Sequence, residues 1–142
     1  MKNAVSYLII LLFCSLVSFP LTAGADEPIP IKEFTATIDQ DGIQRVSILA
    51  GEYYFDPNSI IVKVMVPVEL TVTKEFGFIP HDIVMQSPEA GMEFALDISA
   101  TPKTISFTPT RVGKYPVFCN KKFLFFESHR AKGMEGILEV RE

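Results

Sequence analysis

The sequence predicts an all-β domain, an antiparallel sandwich or barrel with little helix. Short apolar segments rich in β-branched residues recur along most of the chain, and proline, glycine or Asp/Asn pairs separate them. Several of these segments alternate apolar with polar residues, which is the period of a strand that buries one face. Many short strands punctuated by turn signals in this way are typical of β-sandwiches and barrels.

The expected strands follow one another from the N-terminal side of the domain. In chain order they are residues 34–38, 46–50, 53–55, 60–66, 68–73, 81–85, 103–107, 114–118 and 137–140. Most of them end at a glycine or at a proline, residues that favour turns and interrupt strand pairing. Residues 88–96 are the one stretch with some case for a helical turn, and it is short.

Residues 1–25 are expected to be a secretory signal peptide. Lys2 precedes an apolar run over residues 5–19, and small residues at 23–25 precede the acidic pair Asp26-Glu27. The run is shorter than the ~20 residues that a bilayer span needs, and Pro20 interrupts it. We therefore expect export to the periplasm or another extracytoplasmic face and a single mature domain, 26–142, whose residues 26–31 form a flexible N-terminal segment. An uncleaved anchor is the alternative.

The charge of the chain argues against nucleic acid as a partner. The whole sequence has a formal net charge of −4, and removal of Lys2 with the signal peptide makes it −5. Proteins that bind nucleic acid use clustered lysine and arginine side chains to contact the phosphates. No stable membrane span is expected after cleavage.

Four residues are candidate metal ligands. Cys119 is the one cysteine left after cleavage, and a lone thiol in an oxidising compartment is best explained if it is buried or bound to a metal. His81 and His129 are the two histidines of the chain, and Met134 lies close to the second one. Two imidazoles and a thiolate in one plane, with a weak axial thioether, suit both oxidation states of copper. The sequence therefore predicts one copper ion, Cu(I)/Cu(II), at these four residues.

Other interpretations of these residues remain open at this point. Cys119 as an inert buried thiol and Met134 as ordinary core packing are the structural alternatives. Glu127, two residues before His129, is an alternative axial ligand to Met134. Zinc fits less well than copper, because its usual protein ligands are cysteine, histidine and carboxylates rather than a thioether.

Four segments in order resemble the motifs of the cupredoxins, the family that includes plastocyanin, azurin and pseudoazurin. They are Phe-Asp-Pro-Asn-Ser-Ile-Ile-Val at 55–62, Pro-His-Asp-Ile at 80–83, Phe-Thr-Pro with Gly-Lys-Tyr-Pro-Val-Phe-Cys at 107–119, and His-Arg-Ala-Lys-Gly-Met-Glu-Gly at 129–136. The resemblance covers about residues 53–140 and implies a Greek-key β-sandwich or barrel of the cupredoxin type. It also implies that His81, Cys119, His129 and Met134 are the copper ligands and that electrons leave by the exposed edge of His129.

The chain departs from the family pattern at two places. Nine residues, 120–128, separate Cys119 from His129, where the family usually has only a few. This insertion is rich in aromatic residues at 123–126, which are expected in part to cover the copper and in part to form an apolar docking patch, with simple core packing as the alternative. Asp82 stands where the family more usually has asparagine, and an ionised carboxylate there would lower the reduction potential.

The leading functional prediction is one-electron transfer by a carrier that turns over no substrate. Its partner would be a redox protein, such as a cytochrome or a membrane oxidase or reductase, that docks on the face around His129 and residues 123–126. The alternatives are copper binding for tolerance or delivery, a copper enzyme with an open coordination site, and a metal-free adhesion domain. The binuclear copper centre of cytochrome oxidase subunit II is excluded, because Phe123 stands where its second cysteine would be expected.

Overall fold

The computed structural model describes residues 29–122 and 124–142. The expected signal peptide and Phe123 lie outside the described residues. The described part contains ten strands and one short 3-10 turn, Pro88–Ala90, and no helix in it is long and apolar enough to cross a bilayer. The strands are β1 Glu33–Thr35, β2 Gln44–Gly51, β3 Tyr54–Asp56, β4 Ser59–Lys63, β5 Val68–Lys74, β6 His81–Ser87, β7 Met92–Ile98, β8 Lys103–Phe107, β9 Gly113–Phe118 and β10 Glu135–Arg141.

The strands form two sheets that pack as a sandwich. One sheet has the order β1-β4-β10-β9-β6-β7, and the other has the order β3-β2-β5-β8. The prediction of an all-β sandwich with little helix is therefore confirmed. The sheets are mixed rather than purely antiparallel, since β4 pairs parallel with both β1 and β10, and β2 pairs parallel with β5. Parallel pairs arise because the chain crosses between the sheets, which strand patterns alone do not reveal.

One strand was not predicted from the sequence. Residues 88–96 suggested a helical turn, but only Pro88–Ala90 turns, and Met92–Ile98 forms β7 at the edge of the larger sheet. Gly91 closes the turn with φ of 74°, a conformation that favours glycine, and a Cβ there would lie 2.7 Å from the carbonyl oxygen of Thr108. β7 then pairs with β6 along its full length, from His81 opposite Ile98 to Ser87 opposite Met92.

The core lies between the two sheets and continues up to the predicted ligands. Strand β2 alternates buried and exposed residues over most of its length, so that Val46 and Ile48 face the core. Cys119 and Met134 belong to the same buried cluster as these aliphatic side chains. In the β6–β9 pair, Val84 is opposite Phe118, and the two strands are antiparallel. The start of β6 and the end of β9 therefore meet at one end of the sandwich, which brings His81 near Cys119.

Candidate metal centre

The backbone places each predicted ligand at the same end of the sandwich. His81 is the first residue of β6, Cys119 follows β9 directly, and Met134 precedes β10. The N–H of Cys119 donates to the carbonyl oxygen of Met134 at 3.0 Å, and the N–H of Met134 donates to that of His129 at 2.9 Å. Cys119, His129 and Met134 are thus joined by backbone hydrogen bonds, and we call the segment that carries His129 and Met134 into β10 the ligand turn. Strand β6 supplies the fourth residue, His81.

The ligand atoms of three residues converge. The Nδ1 atoms of His81 and His129 lie 3.2 Å apart, and the Sγ of Cys119 lies 4.0 Å from the first and 3.5 Å from the second. The point equidistant from these three atoms lies about 2.1 Å from each, and bonds from a first-row metal ion to imidazole and thiolate are ~2.0–2.3 Å long. The residues present therefore fit one metal ion bound by these three atoms.

Burial shields this cluster from solvent. The exposed fraction is 3% for His81 and for His129, and it is 0% for Cys119 and Met134. Met134 fills the end of the apolar core beside the cluster, and its backbone bonds to two of the three converging residues.

The protonation states suit metal binding. Burial lowers the pKa of His81 to about 4, with further lowering by His129 and Lys74, and burial also lowers the pKa of His129, with help from Lys132. Both rings are therefore neutral at pH 7 and carry a free lone pair. Burial raises the pKa of the Cys119 thiol to about 11, although the backbone groups of Asp82 and Lys121 act in the opposite direction. A metal that binds the sulfur must displace a proton.

The insertion between Cys119 and His129 leaves the ligands close together. The N–H of His129 donates to the carbonyl oxygen of Lys121 at 2.9 Å, and Lys122 forms a β-bridge with Ser128. Leu124, Phe125 and Phe126, which come between these two residues in the chain, are exposed. His129 lies next to Lys121 in space, so the longer spacing in the sequence does not separate His129 from Cys119. Phe123 of this loop lies outside the described residues.

Asp82, in strand β6, connects this strand to the segment that follows Cys119. Its Oδ1 accepts a hydrogen bond from the N–H of Asn120 at 2.6 Å, and its Oδ2 lies 3.9 Å from Nζ of Lys121. Lys121 also forms an ion pair with Asp97 at 2.6 Å, which raises the pKa of the lysine. The carboxylate beside the site therefore has a cation near it, and Asp82 positions the residue that follows Cys119. The sequence pointed to Asp82 through its departure from the family pattern, whereas nothing in it pointed to Asp97.

Sequence reasoning also missed Tyr53. Its ring centroid lies 5.0 Å from that of His129 and 6.3 Å from that of His81, both in edge-to-face geometry. Tyr53 lies in the turn between β2 and β3, far from the ligands in sequence, so no spacing rule could have linked them. Glu127, the alternative oxygen ligand, is exposed, and among the described residues it does not join the group of His, Cys and carboxylate atoms that lie within 4.8 Å of one another.

Comparisons with known proteins find similarity in structure but not in sequence. No protein-family model matches the chain, and a search of curated proteins finds no match. The metal-binding domain of the Cu(I)-exporting P-type ATPase CopA from Streptococcus pneumoniae, solved with Cu(I), has a TM-score of 0.60 and 21% identity, over 80% of this chain and 99% of that one.

Two further solved structures share the fold. A copper-binding protein solved by NMR in its apo form has a TM-score of 0.57 at 17% identity, over 78% of this chain and 98% of that one. Reduced auracyanin from the photosynthetic bacterium Roseiflexus castenholzii has a TM-score of 0.54 at 20% identity, over 69% and 97%. At these identities the likeness is one of fold. Together with the two-sheet topology, it shows that this chain has the cupredoxin fold, as its sequence motifs predicted.

Proposed function

We propose that this protein is an exported, mononuclear copper protein that carries single electrons. The observation that carries the proposal is the convergence of two neutral imidazoles and a buried thiol on one point at metal-bond distance. A soft sulfur donor combined with two nitrogens is the set that suits copper in both oxidation states. Bound copper would supply the one-electron couple Cu(I)/Cu(II).

The roles of the ligands follow from their positions. His81, Cys119 and His129 would bind the ion through two imidazole nitrogens and a thiolate, and Met134 would add a weakly bound thioether sulfur. His81, Cys119 and Met134 lie at strand ends, His129 is bonded to Met134 through the backbone, and the core packs against the group. A site built on rigid elements changes little between oxidation states, which favours rapid electron transfer.

The same end of the molecule offers a docking face. Phe76 and Phe78, in the loop before His81, are 97% and 96% exposed, and Phe125, in the loop before His129, is 85% exposed. Lys74 fixes the first loop by donating to the carbonyl oxygens of Gly77 at 2.7 Å and Ile79 at 2.8 Å. Exposed apolar side chains grouped in this way mark interaction surfaces. We propose that a redox protein, such as a cytochrome or a membrane oxidase or reductase, docks on this face.

Copper delivery or tolerance is the second candidate. It is favoured by the fold likeness to a metal-binding domain of a Cu(I)-exporting ATPase. The same ligands would serve, and the two functions differ in how readily the metal leaves. Slow copper loss with fast electron self-exchange supports the carrier, and rapid copper transfer to an acceptor protein supports delivery. A copper enzyme with an open site is less well supported, because Met134 is buried beside the cluster and Glu127 is exposed.

A copper titration tests the proposed function. The 142-residue chain is expressed in bacterial cells and purified from the periplasm, and its mass shows whether cleavage follows Ala25. We expect one equivalent of Cu(II) to produce an intense thiolate charge-transfer band and a mononuclear paramagnetic resonance signal. The band should vanish in Cys119→Ser and His129→Ala, the resonance signal should change in both, and neither should change in Glu127→Gln. A wild-type protein that folds but shows no such band would refute the proposal.

A further inference from the structure

Tyr53 adopts an uncommon backbone conformation beside the candidate metal centre. Its φ is 63°, in the left-handed region that bulky residues rarely occupy. The turn that holds it is tightly packed, because a Cβ on Gly51 would lie 2.2 Å from the ring of Tyr54. Tyr54 thus lies over Gly51 and donates its hydroxyl to Glu75, while Tyr53 points towards the histidines. Backbone strain of this kind clusters at functional sites.

The ring of Tyr53 lies against His129 on one side and a cavity on the other. Its centroid is 5.0 Å from that of His129 and 6.3 Å from that of His81, and its plane is nearly perpendicular to both imidazole rings. On its outer side, Tyr53 lines a cavity of about 480 Å³ together with Glu52, Lys132 and their neighbours. His129 is nearly fully buried although this cavity lies so close to it. The ring of Tyr53 therefore lies between this cavity and His129.

Lys132 connects the Tyr53 ring to the ligand turn. Its ammonium group lies 4.2 Å from the centroid of the Tyr53 ring, within the range of a cation–π interaction. The N–H of Lys132 donates to the carbonyl oxygen of Ser128 at 3.2 Å, in the same turn that carries His129. The contact thus joins two segments that are distant in sequence, the β2–β3 turn and the ligand turn.

We propose that Tyr53, held by Lys132, is a lid that keeps water and competing ligands away from His129 and slows the release of the metal. The proposal rests on copper being the metal held, as inferred above. It makes Tyr53 a positioning residue that acts through the two imidazoles. A closed lid favours retention of the ion, and its loss converts the same ligand set into a site that exchanges its metal.

The test uses three substitutions at one position and one matched control. Tyr53→Phe keeps the ring, Tyr53→Leu keeps an apolar side chain without the ring, and Tyr53→Gly removes the side chain and relieves the left-handed backbone. Tyr54→Leu changes the neighbouring tyrosine, whose hydroxyl donates a hydrogen bond to Glu75 at 2.9 Å. Circular dichroism and thermal unfolding establish that each variant is folded, and the glycine variant guards against strain as the cause of any effect.

Three measurements report on the lid. On the copper-loaded protein, we measure the rate of copper loss to a chelator in excess and the affinity of azide for the Cu(II) form by visible spectroscopy. On the metal-free protein, we measure the rate at which a disulfide reagent modifies Cys119. We expect Tyr53→Leu and Tyr53→Gly to raise each value about tenfold, since aromatic contacts of this kind affect barriers by roughly that factor. Tyr53→Phe and Tyr54→Leu should behave as wild type.

Folded Leu and Gly variants with wild-type values in all three measurements would overturn the lid. Equal effects in Tyr54→Leu would also overturn it, because they would assign the change to the turn as a whole. Failure of the proposed function is distinguishable from these results. A wild-type protein without a thiolate–copper band would refute copper binding, while the cysteine modification rates would still show whether Tyr53 covers the cluster.

Discussion

Copper affinity should rise with pH because the sulfur ligand starts as a thiol. The pKa of Cys119 is raised to about 11 and that of His81 is lowered to about 4. Between about pH 7 and pH 9, the imidazoles are already neutral and the thiol still holds its proton, so binding releases one proton per ion. One released proton makes the affinity rise about tenfold per pH unit, or roughly a hundredfold over this range.

The assay is a competition for Cu(I) under anaerobic conditions against a chelator whose own pH dependence is known. A pH-stat measurement of protons released per ion provides an independent value, expected to be about one. A flat affinity between pH 7 and pH 9 would refute the reasoning, because it would mean that the thiol is already ionised before the metal arrives. A slope near two would show that a histidine also loses a proton. Cys119→Ser should bind far more weakly and show no such slope.

Three further predictions follow from the structure. His81 has a lower pKa in the folded chain (about 4) than in the unfolded chain (6.5), so the unfolded state binds more protons between these values. The metal-free protein should therefore lose up to about 3 kcal/mol of stability from this group as pH falls through this window, measured by denaturant unfolding. His81→Gln should reduce the slope, and the smaller part that remains comes from His129, whose pKa is also lowered. Asp82→Asn retains an oxygen that can accept from the N–H of Asn120 and removes a negative charge near the site. Voltammetry should therefore show a reduction potential that is higher by on the order of 60 mV, and an unchanged or lower potential would contradict the argument. Gly136→Ala places a Cβ 2.5 Å from the carbonyl oxygen of Asn58 and should cost about 1–3 kcal/mol by thermal unfolding, whereas Gly77→Ala meets nothing within 4 Å and serves as the control.

Several elements could be predicted from the sequence because local chemistry determines them. The apolar–polar alternation in β2 and β5 is a property of each strand alone, and the turns between strands carry glycine or proline for conformational reasons. The three side chains that converge, His81, Cys119 and His129, could be identified from the sequence for a different reason. A chain with two histidines and one mature cysteine has few ways to build a site with nitrogen and sulfur donors. The expected export signal and the domain boundary at residue 26 stay predictions, since they fall outside the described residues.

Tertiary structure alone decided how these parts meet. Nine residues separate Cys119 from His129, yet a backbone hydrogen bond from His129 to Lys121 and a β-bridge between Lys122 and Ser128 keep Cys119 and His129 together. The parallel pair of β2 with β5 depends on which strands become neighbours, and pairing between distant segments leaves little trace in either segment by itself. Tyr53 covers the imidazoles for the same reason. The sequence thus determined which atoms could bind a metal, and long-range packing determined that they lie within about 4 Å of one another, since distances between residues far apart in a chain are set by the fold as a whole.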